Sequence, residues 1–179
     1  AGVDEIITRR GKAIGVRLMK EDEVFAPLII SSAGVMNTYG GLLRNDKSSH
    51  RFSNLIKTVT PTESYICLYM GLNRSSKDLE LDNTNLWIYP GYDHDKNVED
   101  FMRDSNCDLP VVYISFPSAK DPAFEKENPG LATMEAITVA KWDEFGQWED
   151  KPWKNRGVKY EFLKETLSER ILNTVYKYV

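Results

Sequence analysis

The stretch VDEIITRRGKAIGVRLMKEDEVFAPLIISSAGVMNTYGGLL, residues 3–43, decides how the chain is read. Val3, Ile6 and Ile7, then Ile14, Val16 and Leu18, then Val24, Phe25, Leu28, Ile29 and Ile30 fall in short apolar and β-branched runs. Gly11-Lys12 and the charged Lys20-Glu21-Asp22-Glu23 punctuate them, which is the spacing of strands joined by tight turns. The stretch therefore predicts a β-meander. Its last run, Leu28 to Ile30, is continuously apolar and is expected to be a strand buried on both faces. Such a strand would end at the small-residue break Ser31-Ser32-Ala33-Gly34, beneath a ligand-bearing loop. A short helix is expected from Val35 to Leu43, weakened by Gly40-Gly41.

Outward from this stretch, 179 residues and 20.5 kDa suffice for one ordinary domain with a real core, or for a slice of a larger one. Hydrophobic residues at 41% and charged residues at 28% indicate neither disorder nor a fibrous repeat. A net charge of −4 argues against nucleic acid as a partner, which needs clustered Lys and Arg. No apolar run approaches the ~18 residues of a membrane span. Asp4, Glu5, Arg9 and Arg10 interrupt any secretory h-region, so the chain reads as non-secreted, or as cut from the middle of something. Cys67 and Cys107 form no pair motif and read as free thiols in a reducing compartment. With only His50 and His94 beside them, no metal site is expected.

Along the remainder, Lys47 to Arg51 reads as a polar loop and Asn54 to Thr60 as a brief segment broken by Pro61. Glu63 to Leu72 alternates as a strand, with Tyr65, Cys67 and Tyr69 on one face and Ile66, Leu68 and Met70 on the other. Both faces are half apolar, so it is expected to be covered twice. Leu86 to Tyr89, Val111 to Phe116 and Leu131 to Ala140 complete a second group of strands. Between them, Asp93-x-Asp95-x-Asn97 copies the first ligands of a calcium loop. It then has Val98 where the sharp turn needs Gly and Asp104 where a bidentate Glu is needed. It reads instead as a cap for a helix from Val98 to Arg103, with Asp95 or Asn97 as the capping residue. Pro117 ends a strand. Asp121 and Pro122 then start a short helix that Asn128-Pro129-Gly130 stops, and Lys120 is either part of that cap region or a pocket-facing proton donor. Trp142, Phe145, Trp148 and Trp153 suit a helix entry or an aromatic wrap around a sheet edge. From Val158, Tyr160, Leu163, Leu167, Ile171, Val175 and Tyr178 recur with helical spacing, giving an amphipathic helix about 30 Å long. It meets no Gly or Pro stop, so the chain is expected to end inside a larger protein.

Two collinear blocks carry a resemblance. Gly11 to Val16, Ala26 to Ser31, Ala33-Gly34, Asn37-Thr38-Tyr39 and Leu42-Leu43 form the first. Phe116 to Pro122, Pro129-Gly130, Thr133-Met134, the Trp142 to Trp148 aromatics, and Arg156-Gly157 with Tyr160 and Lys164 form the second. Together they resemble the retinol saturases, FAD-dependent oxidoreductases of the wider carotenoid and phytoene desaturase family. The likeness implies an α+β chain, with a β-meander from a split FAD domain over residues 1–45. A substrate-binding domain, a mainly antiparallel sheet with packed helices, follows over 52–179. It matches the main chain of Val3 to the position that hydrogen-bonds the adenine end of FAD.

The resemblance implies an enzyme that saturates or desaturates C=C bonds of a retinoid-like or carotenoid-like polyene, with flavin carrying the hydride. It leaves room for NAD or NADP, and names no catalytic residue. Strand alternation offers Tyr65, Tyr69, Trp87, Tyr89, Tyr113 and Phe116 as an apolar, substrate-lining wall. None of the eleven glycines forms Gly-x-Gly-x-x-Gly, the pyrophosphate turn. These residues alone are therefore not expected to hold FAD or to be active. The expected partners are a hydrophobic polyene and the remainder of the FAD domain, in an intracellular setting that is cytoplasmic or peripheral to a membrane. An amine- or porphyrinogen-oxidising relative, and a non-catalytic lipid- or partner-binding module, are the alternatives.

Overall fold

The computed structural model describes residues 2–47, 49–59, 62–152 and 154–179. Two compact units, Ala1–Thr62 and Glu63–Val179, make up the chain. The described residues 52–59 fall in the first of these units.

The first unit opens with the expected meander. Strands β1 (Val3–Arg9), β2 (Lys12–Leu18) and β3 (Glu23–Phe25) pair antiparallel in that order. Arg9 faces Lys12 across a two-residue turn in which Arg10 and Gly11 both have positive φ, at 51° and 74°. Left-handed residues at both turn positions match the right-handed twist of the strands they join. At Gly15 a Cβ would meet the Val24 carbonyl oxygen at 2.6 Å, so only glycine lets β3 close on β2 there. Beyond β3 the expectation fails. Ala26 donates a last bond to the Ile14 carbonyl, and Pro27 has no N–H with which to continue the ladder. Leu28 to Ile30 then run as irregular chain with Leu28 and Ile30 exposed, rather than as a doubly buried strand.

The expected short helix is present as a π-helix, Met36–Leu42. Behind it, Arg44 reaches back to Asp4, donating to its carboxylate at 2.6 Å and its carbonyl at 2.7 Å, while Asn45 donates to Glu5 at 2.9 Å. The polar loop expected at Lys47 to Arg51 is instead partly helical: α1 spans Ser49–Ile56, and Ser49 bonds to the Asp46 carbonyl at its start. A hydroxyl that donates to the carbonyl three residues back is a local side-chain bond that the polar composition concealed.

The second unit holds β4 (Ser64–Leu72), β5 (Leu86–Ile88), β6 (Val112–Ser115) and β7 (Ala132–Ala140) in one antiparallel sheet of order β4-β7-β6-β5. Helix α2 (His94–Arg103) links β5 to β6. The short α3 (Pro117–Lys120) and α4 (Phe124–Glu127) link β6 to β7. Asp93 caps α2, accepting from the Lys96 N–H at 3.0 Å. The cap thus lies two residues before the nearer of those expected, and Asn97 instead holds the Gly91 carbonyl. Asp121 accepts from the Ala123 N–H at 2.9 Å, but it closes α3 and does not cap α4, whose cap position is Ala123 with no side-chain cap bond.

Alternation assigns the two faces of this sheet. Val112, Ile114, Met134 and Ala136 point to one side, where Ile171 and Val175 of α5 (Val158–Tyr178) complete a buried core. Ile66, Leu68, Met70 and Leu72 pack against that core from β4. Ala132, Ala136 and Ala140 supply only methyl groups along β7, so the long helix can approach the centre of the sheet. Burying Ile171 alone, 1% exposed, is worth about 1.5–3 kcal/mol. Arg170, on the same helix, donates to the Ser105 and Cys107 carbonyls and ties α5 to the loop before β6.

Candidate functional site

The opposite face of this sheet is where the aromatic residues gather. Cys67, Ile137, Tyr113 and Trp87 lie side by side across all four strands, and Tyr69, Glu135 and Ser115 form the next row. The Trp87 and Tyr113 rings sit 4.7 Å apart at a 58° tilt. Tyr65, Tyr69 and Trp87 are 67%, 77% and 60% exposed, so this is an uncovered aromatic surface and not a second core. The double cover expected for β4 is therefore absent: β4 is an edge strand with one face open.

Of the six residues that alternation offered as a wall, Tyr65, Tyr69, Trp87 and Tyr113 share this face. Phe116 does not. It is 4% exposed and belongs to the core beneath α5, because Val112, Ile114 and Phe116 keep the inward phase of β6. Tyr89 lies beyond the end of β5 and stacks on His94 with ring centres 4.1 Å apart. At the polar end of the face, Lys120 donates to Ser115 Oγ at 2.8 Å and to Asn85 Oδ1. This holds its ammonium against Ser115 and Asn85, a placement that spacing alone could not reveal. Burial pushes the Cys67 thiol above its ordinary value, and the Tyr69 hydroxyl is raised chiefly by its hydrogen bond with that thiol. Both groups stay protonated near neutral pH, so this face carries no thiolate nucleophile.

Val3 stands at the start of β1, the outer strand of the meander. The Gly2 carbonyl accepts from Met19 N–H at 2.9 Å, one step outside the Val3–Leu18 pair. That makes Val3 a non-hydrogen-bonded position, whose own N–H and C=O turn away from β2. The Val3 main chain thus faces the open edge of the three-stranded sheet. No pyrophosphate cradle accompanies it in this sequence, which lacks the glycine turn. Among the described residues no cluster of His, Cys, Asp or Glu could hold a metal ion, and no helix is long and apolar enough to cross a membrane.

No protein-family model matches the chain. Individual relatives do. It is 31% identical over 96% of its length to all-trans-retinol 13,14-reductase of Rattus norvegicus, and 32% identical over 98% to that of Danio rerio. The chloroplastic prolycopene isomerase of Arabidopsis thaliana is 27% identical over 99%. The chain is a member of the retinol saturase and carotenoid desaturase family. It spans 30% of the length of the two reductases and 27% of the isomerase. A further relative, 27% identical over 94% of the chain, is an inactive all-trans-retinol 13,14-reductase of Danio rerio. Family membership therefore does not by itself carry activity.

Proposed function

We propose that this chain supplies the polyene-holding sheet, and part of the flavin-supporting meander, of an oxidoreductase that acts on C=C bonds of a retinoid-like or carotenoid-like substrate. The open face bearing Tyr65, Tyr69, Trp87 and Tyr113 supports the reading most directly. Exposed aromatic groups in one continuous patch mark a surface meant to be covered, and flat rings suit a flat conjugated chain. Its length would be laid across the strands, held in register by the tilted Trp87–Tyr113 pair. The main chain of Val3 would hold the adenine end of FAD, which when bound would supply the hydride. Lys120, fixed by Ser115 and Asn85, would bring a proton-bearing group to the polar end of the same face. The exposed Leu28 and Ile30 would be covered by further chain of the flavin domain.

The test is made on a longer protein that contains these residues. It should purify yellow, bleach with dithionite, and consume all-trans-retinol or a carotene. Trp87→Ala should raise KM about tenfold with flavin content unchanged, the size of one lost aromatic contact in a desolvated site. A colourless protein, or a Trp87→Ala variant with unaltered KM, would overturn the reading.

A further inference from the structure

The two edges of the four-stranded sheet differ. β5 is three residues long and ends just before Pro90-Gly91, so it offers a neighbour almost no ladder. β4 is nine residues long and carries neither a charged residue nor a proline. Natural sheet edges are blunted by lysine, proline or shortness, and β4 uses none of these devices. Among the described residues, no backbone group other than those of β7 bonds to its main chain. Every second residue along it therefore turns its N–H and C=O outward without a partner.

The side chains show the same incompleteness. Helix α5 lies over β7 and β6. Ile66, Leu68, Met70 and Leu72, on the helix side of β4, are consequently only half-buried, and a cavity of about 550 Å³ opens against Ile66 and Leu68. On the open face, Tyr65 and Tyr69 stand exposed on either side of Cys67.

We propose that β4 joins β4 of a second copy of this chain, antiparallel, about a twofold axis through Cys67. The sequence is complementary to itself in that register. Tyr65 of each copy faces Tyr69 of the other, giving two aromatic cross-strand pairs on the open face, and Ile66 likewise meets Leu68 on the helix side. Centring the axis on Leu68 instead would set Tyr65 against Gly71 and lose both aromatic pairs. No like charges meet, because Ser64–Leu72 has no charge at all. The contact also closes: four strands from each copy make one sheet whose two remaining edges are the short β5 strands, so growth stops at the dimer. One strand pair with its tyrosines is a small interface, below the ~1,200 Å² of a standard one, and the dimer is reversible. The inference is independent of the flavin reading, since it is built wholly within residues 63–179 and needs no cofactor.

Sedimentation of the 179-residue chain across about 1–300 µM should show its mass rising from 20.5 kDa towards twice that value. Residues facing each other across an antiparallel pair have Cα atoms about 4.5–5.5 Å apart, inside the reach of a disulfide. Copper phenanthroline should therefore join the two Cys67 thiols, taking two electrons while two protons are released. Cys67→Ser should still dimerise but give no covalent product, although Cys107 remains. Cys67→Lys sets like charges directly opposite each other and should weaken the dimer about tenfold, with circular dichroism as the check on folding. Trp87→Lys, on the same face but at the far edge of the sheet, should leave the dimer unchanged. A monomer at every concentration, or as much covalent product in Cys67→Ser as in the parent, would overturn the proposal. Equal weakening by Trp87→Lys and Cys67→Lys would overturn it in favour of stacked aromatic faces. A longer protein that stays monomeric while the 179-residue chain dimerises would overturn it in favour of another segment of the same polypeptide on β4.

Discussion

Phe116 and Trp87 are both aromatic, both read from the sequence as strand residues, and interchangeable to any reading based on composition. Their surroundings separate them. Phe116 lies in the core with Met134 and Ile171, so Phe116→Ala should cost about 3–5 kcal/mol, seen as a lowered urea midpoint. Trp87 touches chiefly Tyr113, so Trp87→Ala should cost about 1 kcal/mol and leave the melt cooperative. A reversal of that order would mean that the open face, not the helix-covered one, carries the stability. The inward phase of β6 was legible in the alternation of Val112 and Ile114. Which of the two phases met a helix was not, since only α5 decides it. Tyr89 was misplaced for a related reason: alternation extends past a strand's end on paper, whereas the chain turns at Pro90 and gives the ring to His94.

At the scale of elements, what the sequence revealed best were the units with strong periodicity: the meander hairpin, the long alternation of β4 and β7, and the helical spacing of α5. Leu28 to Ile30 was misread because an apolar run reports only a preference for cover, and Pro27 had already ended the pairing. The capping of α2 was legible as a region but not as a residue, because Asp93, Asp95 and Asn97 all have the required oxygen. Asp93→Ala should lower stability by about 1 kcal/mol, whereas Asp95→Ala should lower it by less, measured by urea denaturation.

The same helix carries a pH-dependent pair. The Asp100 carboxyl is held below the usual aspartate range, first by its hydrogen bond from Lys96, and Lys96 is raised in return by that bond. A lowered carboxyl stabilises the fold above its unfolded value of about 3.9 and loses that as pH falls through the folded value. A raised ammonium stabilises below about 10.4 and loses that as pH rises through its own. The difference in urea midpoint between the parent and Asp100→Asn should therefore stay constant from about pH 5 to about pH 9, and shrink below about pH 4. A difference that grew on acidification would show that the pair does not act in the folded state.

Across the whole molecule, burial is unevenly shared between the two units. Residues 63–179 contain a core cluster whose buried members come from β6 and the Phe116 that follows it, from β7 and from α5. Among the described residues of 1–62, few beyond Glu5, Ile6, Ser49 and Ile56 are buried, while Val24, Phe25, Leu28, Ile30, Val35 and Met36 are all more than half exposed. A body of that size rarely offsets its chain entropy without more apolar cover. The two parts should therefore behave differently when made separately. Residues 63–179 alone should give one cooperative calorimetric transition and keep the near-ultraviolet signal of Trp148, which is buried against Tyr160. Residues 1–62 alone should melt broadly and bind a hydrophobic dye such as ANS, because their apolar residues lie on the outside. A sharp transition from residues 1–62 would show that the meander needs no further cover. A broad one from 63–179 would show that the core beneath α5 does not by itself suffice for cooperative folding.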